Sequence, residues 1–335
     1  MVKKILLSLA IMVLTTSIGN AQEEPLFEKL QKNFQTKYFD VGFLFQGVFD
    51  HQFERTFPGN NGFSLANVRV ILSGELDEGY GYYLQTNFVS ARPLLDARFY
   101  YKIAPYLIFD IGQFKVPFGT EYLISKSAID FVNRAQNVNL IPGRQIGLQV
   151  RGDLLKKTLT YKAGVFNGNG TAANANDNRD FMYVGRLEFK NQLSDCGHSK
   201  LEVAVNAATT NDAVPAPVFS QKRNFAGGDF RLTLNNLFLS GEFIYQNMKQ
   251  NNGASLNHKG YHLTAGYMVT DKIQLLGRWD SLIPEKSLFT ESNFIVLGCN
   301  IWPTKATEFQ INYIIDTEQS GVKKHQVLIN SQLAF

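Results

Sequence analysis

The chain has 335 residues, a formal net charge of +4 at neutral pH and 44% hydrophobic residues. Such a small net charge argues against a nucleic-acid partner. No stretch of the sequence approaches the roughly 18 consecutive apolar residues of a membrane-spanning helix, which argues against a helical membrane protein.

The N-terminus has the pattern of a secretory signal peptide. Lys3 and Lys4 precede the apolar run of residues 5–18, and Gly19-Asn20-Ala21 follows as a small-x-small cleavage site. The apolar core is too short to cross a bilayer of roughly 30 Å, which disfavours a membrane anchor. We therefore predict a signal peptide over residues 1–21. The mature chain would begin at Gln22 with a formal charge of +2, because two of the 33 Lys and Arg are removed.

Residues 22–37 form a separate segment before the first predicted strand. Its apolar residues Leu26, Phe27, Leu30 and Phe34 fall on one face of two helical turns. We expect this segment in the periplasm. The sequence leaves open whether it blocks the opening of the domain that follows, mediates subunit contacts or is disordered.

From Tyr38 to Phe335 the chain consists of short segments in which apolar residues occupy every second position. In the clearest of them Phe99, Tyr101 and Ile103 alternate with Arg98 and Lys102. This spacing is typical of β-strands, because successive side chains of a strand point to opposite faces. We predict sixteen strands, near residues 38–51, 67–76, 80–89, 95–103, 107–115, 145–151, 159–166, 180–189, 201–209, 225–234, 237–247, 260–268, 273–281, 294–302, 307–317 and 325–335.

The connections between these strands alternate in length. Those after even-numbered strands are mostly short, as at residues 104–106 and 235–236, whereas those after odd-numbered strands are mostly long, as at residues 52–66 and 116–144. Short periplasmic turns, long external loops and aromatic girdles are typical of outer-membrane barrels, and the chain has 27 Phe and 14 Tyr. In a soluble β-sandwich there is no physical reason for the short connections to follow one set of strands and the long connections the other.

These patterns predict an all-β fold: a transmembrane antiparallel barrel of about sixteen strands over residues 38–335, in the outer membrane of a Gram-negative bacterium and in contact with its lipid. Barrels of fourteen or eighteen strands are the alternatives. A closed sheet of this size cannot fill its interior with side chains, so it holds an aqueous channel. The default function is passive diffusion of small hydrophilic solutes, and no cofactor or metal is implied.

Strand alternation also assigns charged residues to the lumen. Eight of them are basic: Arg69, Arg98, Lys102, Arg151, Lys162, Arg186, Arg231 and Arg278. Nine are acidic: Asp40, Glu75, Asp96, Glu188, Glu202, Asp229, Glu242, Asp280 and Glu308. Together the eight basic and nine acidic residues give no net electric field that selects anions. If the two groups lay on opposite walls of the barrel, they would produce a field across the lumen.

Four motifs carry a resemblance to a known family. They are FDIGQFKVPFGTE at residues 109–121, IDF at 129–131, PGRQIGLQVRG at 142–152 and YKAGVFNGNG at 161–170. Together they resemble the phosphate-selective porin O and P family. The match is dense over residues 109–170, and the strand plan agrees from Tyr38 to the end of the chain.

The resemblance implies a homotrimeric outer-membrane channel in which the third external loop folds into the lumen and cationic side chains guide anions, phosphate among them. In this sequence that loop is Val116 to Arg144, the longest in the chain. Its apolar residues argue for packing against the barrel wall. Its basic residues are the candidates for the pore constriction: Lys115, Lys126, Arg134 and Arg144. The alternative is that these four are solvated loop charges or partners of Glu121 and Asp130.

Two further classes of function are alternatives to a channel. A non-conducting barrel would act as an adhesin or as the surface component of a nutrient-uptake complex, through the loop aromatics Phe53, Phe57, Phe63 and Phe219. An enzyme is disfavoured, because the five His are scattered and neither Gly-x-Ser-x-Gly nor His-Glu-x-x-His occurs. The two cysteines, Cys196 and Cys299, are predicted to be free thiols.

Overall fold

A computed structural model describes residues 36–54, 61–170, 176, 179–194, 198–211, 222–249, 255–285, 291–318 and 325–335. The predicted signal peptide, all but the last two residues of the predicted N-terminal segment, Cys196, Phe57 and Phe219 lie outside the described residues. Among the residues described, no helix has the length and apolar character needed to cross a bilayer.

Sixteen antiparallel strands form a closed barrel, which confirms the predicted fold and strand number. Each strand pairs with its neighbours in sequence, and the first pairs with the last, in a register that places Phe45 opposite Leu333. The strands are β1 Asp40–Gln52, β2 Gly62–Glu75, β3 Tyr80–Asn87, β4 Leu94–Ala104, β5 Leu107–Lys115, β6 Arg144–Leu154, β7 Leu159–Phe166, β8 Met182–Gln192, β9 Ser199–Asn211, β10 Lys222–Leu234, β11 Leu237–Lys249, β12 Ser255–Thr270, β13 Ile273–Ile283, β14 Ser292–Ile301, β15 Thr307–Asp316 and β16 Gln326–Ala334.

Side-chain burial follows the alternation of the sequence. In β4 Asp96 is buried on the inner face, whereas Phe99, Tyr101 and Ile103 are exposed on the outer face. A closed sheet satisfies the strand backbone through neighbouring strands, so the outer face presents apolar side chains to lipid without unpaired amides. Cys299 also lies on the outer face and is a free thiol.

The connections divide into two sets at the two ends of the barrel. Those on the predicted periplasmic side span residues 76–79, 105–106, 155–158, 193–198, 235–236, 271–272 and 302–306. Those at the opposite end span residues 53–61, 88–93, 116–143, 167–181, 212–221, 250–254, 284–291 and 317–325. The strands thus carry most of their long connections at one end, as predicted.

The connection of residues 116–143, called the third loop below, lies inside the barrel. It contains a single helical turn, α1 Thr120–Leu123, and two 3₁₀ turns, Lys126–Ala128 and Gln136–Leu140. Phe118 and Leu140 are buried in an apolar cluster with inward-facing residues of the wall, among them Phe225 and Ile244. A second cluster joins Phe131 to Phe238, Leu276 and Val296. The core of this protein is therefore the interface between the loop and one side of the lumen.

Candidate functional site

The third loop leaves a cavity of about 290 Å³ on the side of the lumen that faces β2 to β7. We call this space the basic cavity. Its lining includes six basic residues, Arg69, Arg98, Lys115, Lys126, Arg151 and Lys162. Asp96 is the carboxylate in the lining. Four of the predicted lumen-facing cations thus meet two of the four predicted constriction residues in one space.

A further cavity of about 290 Å³ lies toward the periplasmic end of the barrel and shares Tyr83 and Arg98 with the basic cavity. Its lining also includes Asp40 and Glu75 at the periplasmic ends of β1 and β2. The two cavities therefore lie next to each other along the wall of β2 to β4.

Two constriction candidates reach the basic cavity from the loop side. The Nζ of Lys115, at the end of β5, donates hydrogen bonds to the carbonyl oxygens of Tyr122 at 2.6 Å, Leu123 at 3.2 Å and Ile124 at 3.0 Å. These carbonyls close the single turn of α1, so the ammonium group caps the turn. The Nζ of Lys126 donates to the Val132 carbonyl at 3.0 Å. Both ammonium groups are thus held by backbone carbonyls and not by carboxylates.

The other two candidates have different positions. Arg134 Nη2 donates to the Ile124 carbonyl at 2.6 Å, which is the same oxygen that Lys115 contacts. Arg144 lies outside the lining of the basic cavity and forms a two-point ion pair with Asp96, with Nε–Oδ1 and Nη2–Oδ2 distances of 3.0 Å. Neither arginine forms an ion pair with Glu121 or Asp130, the two partners that the alternative offered. Arg278 lies 3.9 Å from Glu121, and Arg231 lies 3.0 Å from Asp130.

The cations of the cavity wall are only partly neutralised. Arg98 and Arg151 share one buried carboxylate, Asp110, at 3.7 Å and 2.8 Å respectively. Arg69 donates from Nε to the Asn67 side-chain oxygen at 2.8 Å. Because Arg144 already occupies both oxygens of Asp96, the cavity retains a net positive charge.

The remaining predicted lumen cations lie elsewhere. Arg186 pairs with Asp229 at 2.7 Å, Arg231 with Asp130 at 3.0 Å and Arg278 with Asp280 at 3.3 Å. All three stand beneath the third loop. Lys102 is exposed at the periplasmic end of β4, on the lumen face but outside the basic cavity.

Carboxylates on the opposite wall hold the loop in place. Glu242 accepts hydrogen bonds from the Glu121 backbone amide at 2.9 Å and from the Asn137 side chain at 3.0 Å. Asp229 accepts one from the Thr120 hydroxyl at 2.7 Å, and Asp280 accepts one from the Gln136 amide at 2.9 Å. The acids that the sequence placed on the lumen face therefore bind the loop on this side.

Neutral side chains of the same wall complete the attachment. Asn312 accepts a hydrogen bond from the Val132 amide at 2.8 Å. Asn300, Gln310 and Gln332 donate to loop carbonyls at 2.8 to 3.0 Å. These amides were not among the predicted site residues. The signal for them in the sequence is a row of Asn and Gln on the inner face of strands opposite a loop rich in free backbone groups.

The loop depends on a glycine at its start. Gly119 has φ +72°, a conformation that other residues rarely adopt. A Cβ atom there would lie 2.6 Å from Ile141 Cδ1 and 2.9 Å from Glu242 Oε1. The Phe-Gly-Thr-Glu part of the motif thus combines a buried anchor, a tight bend and two groups that bind the wall.

Two basic residues of the loop, Lys126 and Arg134, have lowered pKa values. Burial, followed by the positive charges of Arg134 and Arg69, lowers the pKa of Lys126 to about 8, although Glu121 opposes this shift. Burial also lowers the pKa of Arg134. Lys126 is thus protonated at neutral pH and loses its charge in mildly alkaline solution.

His262 lies on the inner face of β12, with Glu242 of β11 and Asp280 of β13 as its direct strand partners. His262 is buried beneath the loop, and its Nδ1 lies 3.4 Å from the Thr264 hydroxyl. Within the described ranges, no group of three or more His, Cys, Asp or Glu side chains is placed to hold a metal ion.

Comparisons with known proteins agree with the barrel fold. The sequence model of the family described as "Phosphate-selective porin O and P" matches residues 39–216. No curated protein sequence matches the chain. Among solved structures, the anion-selective porin from Comamonas acidovorans is 14% identical, with a TM-score of 0.69 over 89% of this chain and 99% of its own.

Two further solved structures share the barrel fold. OprB of Pseudomonas putida is 10% identical, with a TM-score of 0.66 over 93% of this chain and 96% of its own. The trimer form of OmpT from Vibrio cholerae is 9% identical, with a TM-score of 0.59 over 89% of this chain and 99% of its own. The chain therefore belongs to the phosphate-selective porin O and P family and is a porin that forms a channel in the outer membrane of a Gram-negative bacterium.

Proposed function

We propose that this porin conducts anions, inorganic phosphate included, in preference to cations. One observation carries the proposal: six basic side chains and one carboxylate line the basic cavity, and that carboxylate is already bound by Arg144. A charge held in a narrow passage acts on a passing ion more strongly than a charge in open solution. Guanidinium groups also match the paired oxygens of phosphate.

The reversal potential of the purified protein in a planar bilayer under a KCl gradient tests this proposal. If the porin prefers anions, the reversal potential lies toward the equilibrium potential of chloride, and added phosphate reduces the chloride current. A reversal potential that lies toward the equilibrium potential of potassium would overturn the proposal. The measurement also yields the conductance, which reports the channel itself independently of its selectivity.

Two variants separate the basic cavity from other lumen charges. Arg69→Gln removes one cation from the lining, and Lys102→Gln removes one from the same lumen face outside it. We expect R69Q to shift the reversal potential toward that of potassium and K102Q to leave it nearly unchanged. Equal shifts in both variants would show that the lumen acts through its overall charge and not through this cavity.

We also propose that the porin is a homotrimer and has no catalytic activity. The trimer is supported by the family resemblance and by the trimer form of the related Vibrio cholerae barrel. The proposal of no activity is supported by the sequence, in which neither Gly-x-Ser-x-Gly nor His-Glu-x-x-His occurs. Light scattering with detergent correction measures the mass of the assembly, and a monomeric mass would contradict the first statement.

A further inference from the structure

A second cavity, of about 370 Å³, lies at the external end of the lumen. We call it the external cavity. It is bounded by the third loop on one side and by β1 and β13 to β16 on the other. Gln52, Phe294 and Gln326, all near strand ends next to external connections, place it close to the external opening of the barrel. Sites for small molecules have similar volumes, from about 300 to 1,000 Å³.

The charged groups in the lining of the external cavity offer no attraction for an ion. The lining contains two guanidinium groups, of Arg134 and Arg278, and two carboxylates, of Glu54 and Asp316, so their formal charges cancel. Arg134 is bound to the Ile124 carbonyl at 2.6 Å. Arg278 is buried and held by Asp280 at 3.3 Å. The space therefore favours a neutral solute over an anion or a cation.

One wall of the external cavity is apolar, although it belongs to the inner face of a water-filled barrel. Phe294, Val296 and Ile314 lie on the lumen side of β14 and β15, and Val296 is the direct strand partner of Ile314. Phe294 and Ile314 pack against the cluster around Phe131 but stay only half-buried. A ring and a branched side chain thus leave a firm apolar surface in contact with channel water, available to the apolar face of a solute.

The third loop lines the external cavity with two neutral amides. Asn133 and Asn139 are both exposed. In the part of the chain that the structure describes, neither side chain takes part in a hydrogen bond. Each such amide offers a carbonyl oxygen as acceptor and two N–H groups as donors. A solute that both donates and accepts hydrogen bonds is therefore matched on this side.

Two further acceptors lie at the ends of β15 and β16. Asp316 accepts a hydrogen bond from the Glu318 amide through Oδ1, at 3.0 Å, and its Oδ2 has no partner among the described residues. Gln326 donates from Nε2 to Asp50 at 2.8 Å, which leaves its side-chain oxygen facing the same region. Hydroxyl groups are the neutral donors that suit such oxygens, and they accept from the loop amides as well.

We propose that the external cavity is a binding site for neutral sugars. A pyranose ring has C–H groups on its faces and hydroxyl groups around its rim. One face would rest on Phe294 and Ile314, and the hydroxyls would pair with the loop amides and with Asp316. This inference goes beyond the anion preference and does not depend on it, because a neutral sugar takes no part in the selection of ions by the basic cavity.

Saturation-transfer difference NMR with the intact porin tests the sugar site, in micles of a detergent without a sugar headgroup. The two probes are D-glucose and sorbitol. Sorbitol is an open chain with a similar number of hydroxyls, so it lacks the rigid ring face. We expect glucose to bind with a half-saturating concentration several-fold below that of sorbitol. Equal binding of the two probes, or binding of neither, would overturn the proposal.

Two pairs of variants locate the bound glucose. Ile314→Thr makes the apolar wall polar, and its control Ile315→Thr makes the same change on the outer face of the same strand. Asn139→Ala removes a loop amide, and its control Asn191→Ala removes an exposed amide at the periplasmic end of β8. Loss of one methylene-sized contact is expected to raise the half-saturating glucose concentration about fourfold in I314T. Loss of one hydrogen bond is expected to raise it about fivefold in N139A.

The controls distinguish a site in the external cavity from binding elsewhere in the lumen. I315T and N191A should bind glucose as the wild type does. A weaker affinity in I314T or N139A than in its control places the sugar in the external cavity. If both variants bind glucose as their controls do, the proposal is overturned. The reversal potential under a KCl gradient should be the same in all four variants, so that failure of the anion preference is judged separately.

Discussion

The lowered pKa of Lys126 predicts that the selectivity of the channel depends on pH. Its pKa of about 8 results mainly from burial, with further lowering by Arg134 and Arg69 and by the more weakly acting Arg278, against the opposing charge of Glu121. A lowered lysine pKa means that the charge is present below about pH 8 and is lost as the pH rises through that value. Anion preference should therefore fall between about pH 7 and about pH 9.

The size of the basic cavity sets the magnitude of this effect. A sphere with the cavity's volume of about 290 Å³ has a radius of about 4 Å, and two unit charges at that separation attract by about 1 kcal/mol in bulk water. Screening at about 0.1 M salt, where the Debye length is about 10 Å, reduces this to about 0.7 kcal/mol. The concentration of anions at the site should thus fall about threefold when Lys126 is neutral, and that of cations should rise by a similar factor.

The assay is the reversal potential under a KCl gradient, recorded at several pH values. Tyr122 contacts the same part of the loop, and burial raises the pKa of its phenol, so it adds no charge in this range. Lys126→Arg should keep the anion preference at alkaline pH, and Lys126→Gln should show the reduced preference already at neutral pH. The reasoning is refuted if the wild type gives the same potential across the range while K126Q equals the wild type at neutral pH.

Three other changes have expected outcomes that ordinary assays check. Asp96→Asn leaves the guanidinium of Arg144 without its buried partner and should destabilise the barrel by about 3 kcal/mol or more in urea unfolding; an unchanged midpoint would contradict this. Glu242→Leu removes the acceptor of two loop hydrogen bonds, each of which stabilises the loop by about 1 to 3 kcal/mol. Single-channel recordings of this variant should therefore show greater conductance and noise, and a current as quiet as that of the wild type would contradict the role of Glu242 in holding the loop. N-terminal sequencing of protein from outer membranes should begin at Gln22, and a retained Met1 would disprove the signal peptide.

The sequence predicted the barrel well because alternation and turn residues are local signals. The bounds of β5 and β7 agree with the predicted ones at both ends. β12 is longer than predicted, since it runs from Ser255 to Thr270 and the prediction began at Gly260. Asn257 and Lys259 put polar groups on the outer face, so the apolar alternation ends there although pairing with β11 continues. Periodicity thus locates the part of a strand that faces lipid and not its full length.

The candidate site was predicted in composition but not in arrangement. The sequence identified a loop with four basic residues. In the structure two of them line the basic cavity, one is bound to a loop carbonyl and one forms an ion pair with the wall. The partner of Arg144 is Asp96, which lies 48 positions earlier in the chain. The roles of the inner amides, such as Asn312 with the Val132 backbone, depend on contacts 180 positions apart. Such contacts leave no trace in local spacing, because they form only when the loop enters the barrel.

The third loop explains how a lumen with nearly balanced charges becomes a basic passage. Eight cations and nine carboxylates face the lumen by alternation, and their sum predicts no preference. The loop lies against β8 to β16, where Glu242 and Asp280 accept hydrogen bonds from its backbone and Asp229 from a loop hydroxyl. A carboxylate that accepts such hydrogen bonds beneath a packed loop is withdrawn from passing ions. The uncovered wall keeps Arg69, Lys162 and their neighbours in contact with the passage. We therefore propose that selectivity is determined by which charges the loop covers, and not by the total that the strands carry.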